Sequence, residues 1–215
     1  ASDVSASSLF GTRNKTKNEL SAELAALFMF AALKNNDKTG LFLFSDNTEL
    51  YVPPKKGKNH VLRIVRDMIA FKPKSLGTNI SVALKNLNQI LKRKAVIILI
   101  SDFMDSNFEK AIKITEQKHD LIPVIVNDPL ELELKNYPAI LSYVNPENGE
   151  YGYVDMSDAY MVKRYNEEFK ARRESLIKTF NSHNIDYMEI NTQSDIFRTV
   201  VSFFKNRKLK IARGR

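Results

Sequence analysis

Cysteine is absent from the 215 residues, which excludes disulfides, zinc thiolate centres and a cysteine nucleophile. The absence fits a reducing compartment, and a cytoplasmic location is the expectation. Glycine is scarce: the seven glycines, at 11, 40, 57, 77, 149, 152 and 214, build neither G-x-G-x-x-G nor G-x-x-x-x-G-K-[ST]. The phosphate-cradling loops of dinucleotide and P-loop folds are therefore excluded. His60, His119 and His183 are scattered, none within H-E-x-x-H, and no G-x-S-x-G elbow is present. Long hydrophobic runs are missing too. The longest, residues 24–33, lies between Glu23 and Lys34 and reaches about half the length a bilayer demands. No basic-then-apolar leader with a small-residue cleavage site opens the sequence.

Charge is present in excess of one sign, at a formal +8 from 33 Lys and Arg against 25 Asp and Glu. Six of those bases (Lys205, Arg207, Lys208, Lys210, Arg213 and Arg215) crowd the last eleven residues; without them 27 bases face 25 acids. The surplus belongs to the chain end, which reads as a frayed, solvated helix terminus with bases complementing the helix dipole. Nucleic-acid binding through this tail is a competing reading, disfavoured because the tail lacks interleaved aromatics.

Strand and helix patterns alternate nearly throughout, which predicts an α/β fold: an open, mostly parallel, doubly wound sheet covered on both faces. Thr16-Lys17-Asn18-Glu19 reads as a capping box opening a helix to about Lys34, apolar on nearly every face and so deeply buried. Residues 41–45 and 49–52 flank the turn residues Asp46-Asn47 as a hairpin stopped by Pro53-Pro54. A helix follows over about 59–71, and another begins after Thr78-Asn79, carrying Val82, Leu84, Leu87 and Leu91. The continuous apolar run 95–100 is the candidate central strand. Residues 121–126 form the next strand, with Pro123 drawing either the strand toward an edge or itself toward the strand's first residues. A small hairpin added to the main sheet is expected around Asn148-Gly149, then a long helix capped by Ser157, a strand over 185–190 and a last helix from Ser194. The domain is assigned to 1–205 and the basic tail to 206–215.

Candidate chemistry lies in Asp3-Val4-Ser5-Ala6-Ser7, where small oxygen-bearing side chains alternate and can converge on a hard cation such as Mg²⁺ or Ca²⁺ if the backbone turns. In an open parallel sheet, ligands bind beyond the carboxyl ends of the strands. The 95–100 strand delivers Ser101-Asp102 to that rim, and Leu76-Gly77-Thr78-Asn79 precedes a helix and is expected there as well. Taken singly, a polar chain start, a helix cap at Thr78 and a helix cap at Asp102 explain each segment. Together they offer oxygen ligands from three distant stretches.

D-x-S-x-S at Asp3, Ser5 and Ser7, Thr78 after glycine, and Asp102 after an apolar strand resemble the metal-ion-dependent adhesion site of von Willebrand factor A-like domains. Further segments resemble, in order and spacing, a bacterial family catalogued as domain of unknown function fifty-eight. These are Phe44-Ser45-Asp46, Gly77-Thr78-Asn79, Leu99-Ile100-Ser101-Asp102, His119-Asp120-Leu121-Ile122-Pro123-Val124, Asn127-Asp128-Pro129-Leu130-Glu131 and the hairpin of 149–155. The resemblance implies a Rossmann-like fold and a site in which Ser5 and Ser7 bind the ion directly. Thr78 would bind directly or through water, and Asp3 and Asp102 mostly through water. It implies Mg²⁺, or Mn²⁺ or Ca²⁺ in its place, completed by an acidic side chain of a protein ligand. It also implies a MoxR-type AAA+ ATPase as partner. In such domains a buried central strand of about five residues precedes D-x-S-x-S, yet only Ala1 and Ser2 precede Asp3. The expectation is therefore an N-terminally truncated domain lacking its first central strand, with the ion site displaced or unfilled.

The function expected is a non-catalytic, metal-dependent protein-interaction module, since no nucleophile stands with a base and an orienting group. The alternative from a different class is a Mg²⁺-dependent phosphotransfer enzyme, with Asp3 as nucleophile and Asp102 or Asp105 holding the ion. Ser5 opposes it, because haloacid-dehalogenase-like phosphatases place a general-acid aspartate at that spacing and a serine cannot supply the proton.

Overall fold

The computed structural model describes residues 1–12, 15–144 and 150–212. Short β1 (Ser2–Asp3) runs through a 3-10 turn (Ala6–Leu9) into α1 (Lys17–Lys34). The capping box forms as its sequence requires: the Thr16 hydroxyl accepts from the Glu19 amide at 3.2 Å, and the Glu19 carboxylate accepts from the Thr16 amide at 2.7 Å. The antiparallel pair β2 (Thr39–Phe44) and β3 (Thr48–Lys55) follows, then α2 (Lys58–Ile69) and α3 (Ile80–Ile90). Next come β4 (Val96–Ser101), α4 (Glu109–Lys118), β5 (Asp120–Asn127) and the one-turn α5 (Pro129–Leu132). The chain closes with β6 (Ile140–Val144), β7 (Tyr151–Asp155), α6 (Ala159–Ser182), β8 (Met188–Asn191) and α7 (Ile196–Ala212).

The main sheet has the order β3-β2-β1-β4-β5-β8 and is parallel except at β3. Alternation in 41–44 divides its two faces. Leu41 and Leu43 join Leu20, Leu24, Val61, Ile64 and Val200 in a core beneath α1, α2 and α7. Phe42 and Phe44 join Ile80, Leu84, Ile112 and Phe180 beneath α3, α4 and α6. This is the doubly wound arrangement that the strand-helix alternation predicts.

At the centre of the sheet, β1 pairs with the C-terminal ends of both neighbours. Ser2 lies opposite Leu43 and Ile100, and Asp3 opposite Phe44. The Val4 amide continues the ladder to the Phe44 carbonyl at 2.9 Å. Two residues suffice to deliver Asp3 to the carboxyl rim, where Asp3 and Ser5 are buried.

Several expectations are corrected. Strand β3 runs on through Pro53 and Pro54 to Lys55, because it is the sheet's edge and its outer side needs no amide donor. Strand β5 is interior rather than an edge, and the other place expected for Pro123 holds: it lies in the first half of the strand, before β8 joins at Val124, where β5 has a single neighbour. The hairpin β6–β7 is a separate two-stranded sheet rather than an extension of the main one, and its expected turn at Asn148-Gly149 lies outside the described residues. The cap of α6 is Asp158, not Ser157. Helix α1 buries one face only, leaving Phe30 43% exposed, since the sheet covers it from one side. The basic end is not simply frayed: α7 continues to Ala212, and Arg207 pairs with Asp120 and Asp186 while Lys210 pairs with Asp186.

Candidate functional site

The carboxyl ends of β1, β4 and β5 bring Asp3, Ser101-Asp102 and Asp128 to one rim, as parallel pairing in register requires. Immediately after β1 the chain turns. The Asp3 carboxylate accepts from the Ser5 amide at 2.9 Å, and the hydroxyls of Ser5 and Ser7 share one hydrogen bond at 3.1 Å, in which either can donate. The other Asp3 oxygen accepts from the Ser101 hydroxyl at 2.7 Å, and that hydroxyl in turn accepts from the Phe103 amide at 3.0 Å. Burial pushes the Asp3 carboxyl up to about 6, aided by the neighbouring Asp102 charge and opposed by the hydrogen bonds from Ser5 and Ser101.

The loop bearing Thr78 returns to the same rim. The Ala6 amide donates to the Leu76 carbonyl at 3.0 Å, the Asn79 amide to the Ser45 carbonyl at 2.9 Å, and the Ile80 amide to the Asp105 carboxylate at 2.8 Å. The cap of α3 is Asn79, whose side chain accepts from the Val82 amide, so the helix start does not depend on the Thr78 hydroxyl. Nor does Asp102 cap α4. Its carboxylate accepts from the Met104 amide at 3.1 Å, and α4 begins at Glu109.

A cavity of about 10 Å³, the size of one water or one small ion, opens at this rim between Asp3, Ser7, Lys17, Ser101 and Asp102. Neither Thr78 nor Ser5 lines it. Asp3, Ser5 and Ser7 are thus brought together by hydrogen bonds, Asp102 shares the cavity with Asp3 and Ser7, and Thr78 stands in the adjoining loop. Among the described residues no three carboxylates or imidazoles gather in a metal-ligating group. Hydroxyls with two carboxylates remain, a hard-oxygen donor set that fits a divalent cation keeping part of its water shell.

The sequence assigned no role to Lys17, whose side chain is 2% exposed. Its ammonium donates to Asp102 at 2.8 Å and to Glu131 at 2.7 Å, and the Phe10 ring lies 5.9 Å away. Burial opposes the charge, but the two carboxylates outweigh it and hold the Lys17 pKa above its ordinary value. Glu131 is positioned by α5, where it completes a capping box with Asp128. The signal that could have revealed Lys17 is its place in the first turn of α1. There the helix dipole disfavours a cation, so a lysine needs a specific partner.

The first 175 residues match the family described as protein of unknown function DUF58. The chain belongs to that family. No curated protein matches it. Among solved structures, it is similar to the conserved hypothetical protein BatB from Bacteroides thetaiotaomicron at 14% identity, with 95% of each chain covered and a TM-score of 0.59. It is equally similar to an aerotolerance-related membrane protein from Bacteroides fragilis, at 14% identity and TM-score 0.59, covering 95% of this chain and 96% of that one. These likenesses bear out the DUF58 chain's open α/β architecture. Among its described residues no helix is long and apolar enough to cross a membrane.

Proposed function

We propose that this DUF58 chain is a non-catalytic protein-interaction module of the von Willebrand factor A-like kind, working in the cytoplasm with a MoxR-type AAA+ ATPase. The observation that carries the reading is the convergence of Asp3, Ser7, Ser101 and Asp102 on one ion-sized cavity at the carboxyl rim of the sheet. Ser5, Ser7 and Thr78, with Asp3 and Asp102, would hold Mg²⁺, or Mn²⁺ or Ca²⁺ in its place. Bound there, the ion supplies an electron-poor position for an acidic side chain of the protein ligand. The protein's own part is to fix the hydroxyls: Asp3 holds the Ser5 amide and Ser101 holds Asp3.

The same bonds weigh against phosphotransfer at Asp3. Both its oxygens are engaged, one by the Ser5 amide and the other by the Ser101 hydroxyl, which leaves neither free to attack. Asp105 is occupied by the Ile80 amide at the start of α3. Nucleic-acid binding at the tail is weakened by the ion pairs that engage Arg207 and Lys210.

Thermal unfolding at rising Mg²⁺ or Mn²⁺ tests the reading. At a hundredfold excess over Kd a site confined to the folded state adds about 2.7 kcal/mol. In a domain of this size, that is a rise of several degrees. Asp102→Ala should abolish the shift, and an unchanged wild-type curve at saturating metal would exclude the site.

A further inference from the structure

Lys17 places a permanent cation where the candidate site has a carboxylate to offer. Its ammonium lies 2.8 Å from Asp102 on the wall of the cavity that Asp3, Ser7 and Ser101 also line. The exposure of the Lys17 side chain is 2% and that of Asp102 5%, so the attraction is little screened by solvent. A surface lysine would let go of such a partner at small cost; a buried one cannot be left without a counter-charge. The structure supplies a second one. Glu131 accepts from the same ammonium at 2.7 Å, and its other oxygen is fixed by the Asp128 amide at 3.0 Å. Asp128 is anchored in turn by the Thr12 and Thr192 hydroxyls, at 2.6 and 2.8 Å.

We infer that Lys17 is a tethered competitor for Asp102. It neutralises Asp102 while no divalent ion is bound, and it must yield that carboxylate, keeping Glu131 as its remaining partner, when one enters. The inference rests on the metal reading above and adds what sets the site's affinity: the exchange of an internal monovalent cation for an external divalent one. Glu131 acts as a positioning residue, holding Lys17 near the rim yet off Asp102 when the ion is in place. A chain so built binds metal more weakly than its oxygen donors alone would allow, and an acidic ligand that completes the coordination helps to displace the ammonium.

Mn²⁺ titration of the purified protein by calorimetry is the test, with folding of each variant checked by circular dichroism. Lys17→Met should tighten Mn²⁺ binding by about tenfold or more, because Asp102 no longer has an internal partner. Mere removal of a nearby positive charge would tighten binding whether or not Asp102 were present. The same substitution is therefore repeated in an Asp102→Asn background, which unlike Asp102→Ala keeps an oxygen donor and so a weakened site, and there the gain should largely vanish. An equal gain in both backgrounds overturns the competition, and so does unchanged affinity in Lys17→Met. Glu131→Gln covers the case in which Lys17→Met does not fold: it should weaken Mn²⁺ binding, since Lys17 then has only Asp102, and unchanged affinity overturns the inference. Binding by Lys17→Met but not by wild type supports it. If wild type and every variant fail to bind at millimolar Mn²⁺, the metal reading itself falls and this inference with it.

Discussion

Asp128 is fully buried, yet its carboxyl lies below the ordinary carboxylate range. Burial works against that direction, and hydrogen bonds from Thr12, Leu130 and Thr192 prevail over it. A buried carboxylate with this many donors is costly to remove, so Asp128→Ala should destabilise the fold by about 3 kcal/mol in urea unfolding at pH 7. The pH dependence has a definite sign. A carboxyl depressed in the folded state contributes fully above its unfolded pKa of about 4 and loses that contribution as pH falls through the lower folded value. The stability gap between wild type and Asp128→Asn should therefore narrow below about pH 4. A gap that stays constant through the acid range would show that the charge of Asp128 is not what matters. Phe180 offers an apolar counterpart. Its ring has no exposure and meets Phe103 and Tyr187, each at 5.5 Å between centroids. Phe180→Ala should cost about 3–5 kcal/mol. Phe103 itself is held at a φ of 55°, where few bulky side chains are found, so its packing fixes the turn that carries Asp102.

At the scale of elements, two helices are held by ion pairs as well as by apolar faces. Arg173 of α6 makes a two-pronged contact with Glu189 of β8 at 2.7 and 2.9 Å. Arg207 of α7 bridges Asp120, at the start of β5, and Asp186, just before β8. Arg207→Ala leaves those two acids without their shared guanidinium. It should lower stability by about 1–3 kcal/mol and speed hydrogen exchange of the α7 amides before global unfolding. Exchange rates in α7 that match wild type would make the bridge incidental. This anchoring shows why the basic end read as a solvated tail: charge composition counts bases but not the acids that distant segments bring to meet them. Helix α1 carries the same lesson for apolar residues. Its 22–33 stretch is apolar nearly all round, and only the sheet's position decides which side is buried and which leaves Phe30 in water.

Across the whole molecule, alternating strands and helices can bury both faces of a parallel sheet in essentially one way, and parallel pairing gathers the strands' carboxyl ends at one rim. Much of the fold and the neighbourhood of the candidate site were therefore legible from local pattern: the capping box at Thr16, the two-residue period of 41–44, the apolar run ending at Ser101-Asp102, and D-x-S-x-S. The continuation of β3 past Pro53 was not, nor which of the two places open to Pro123 it takes, because tolerance of a missing amide depends on which neighbour lies alongside. The sequence by itself determined the strand-helix alternation and the residue types on offer at the rim, because periodicity and capping are properties of short segments. Only the tertiary structure decided that Lys17, 85 positions from Asp102 and 114 from Glu131, would be buried between them. Coulomb attraction and desolvation depend on distance in space and exclusion of water, and neither quantity exists until the chain has folded.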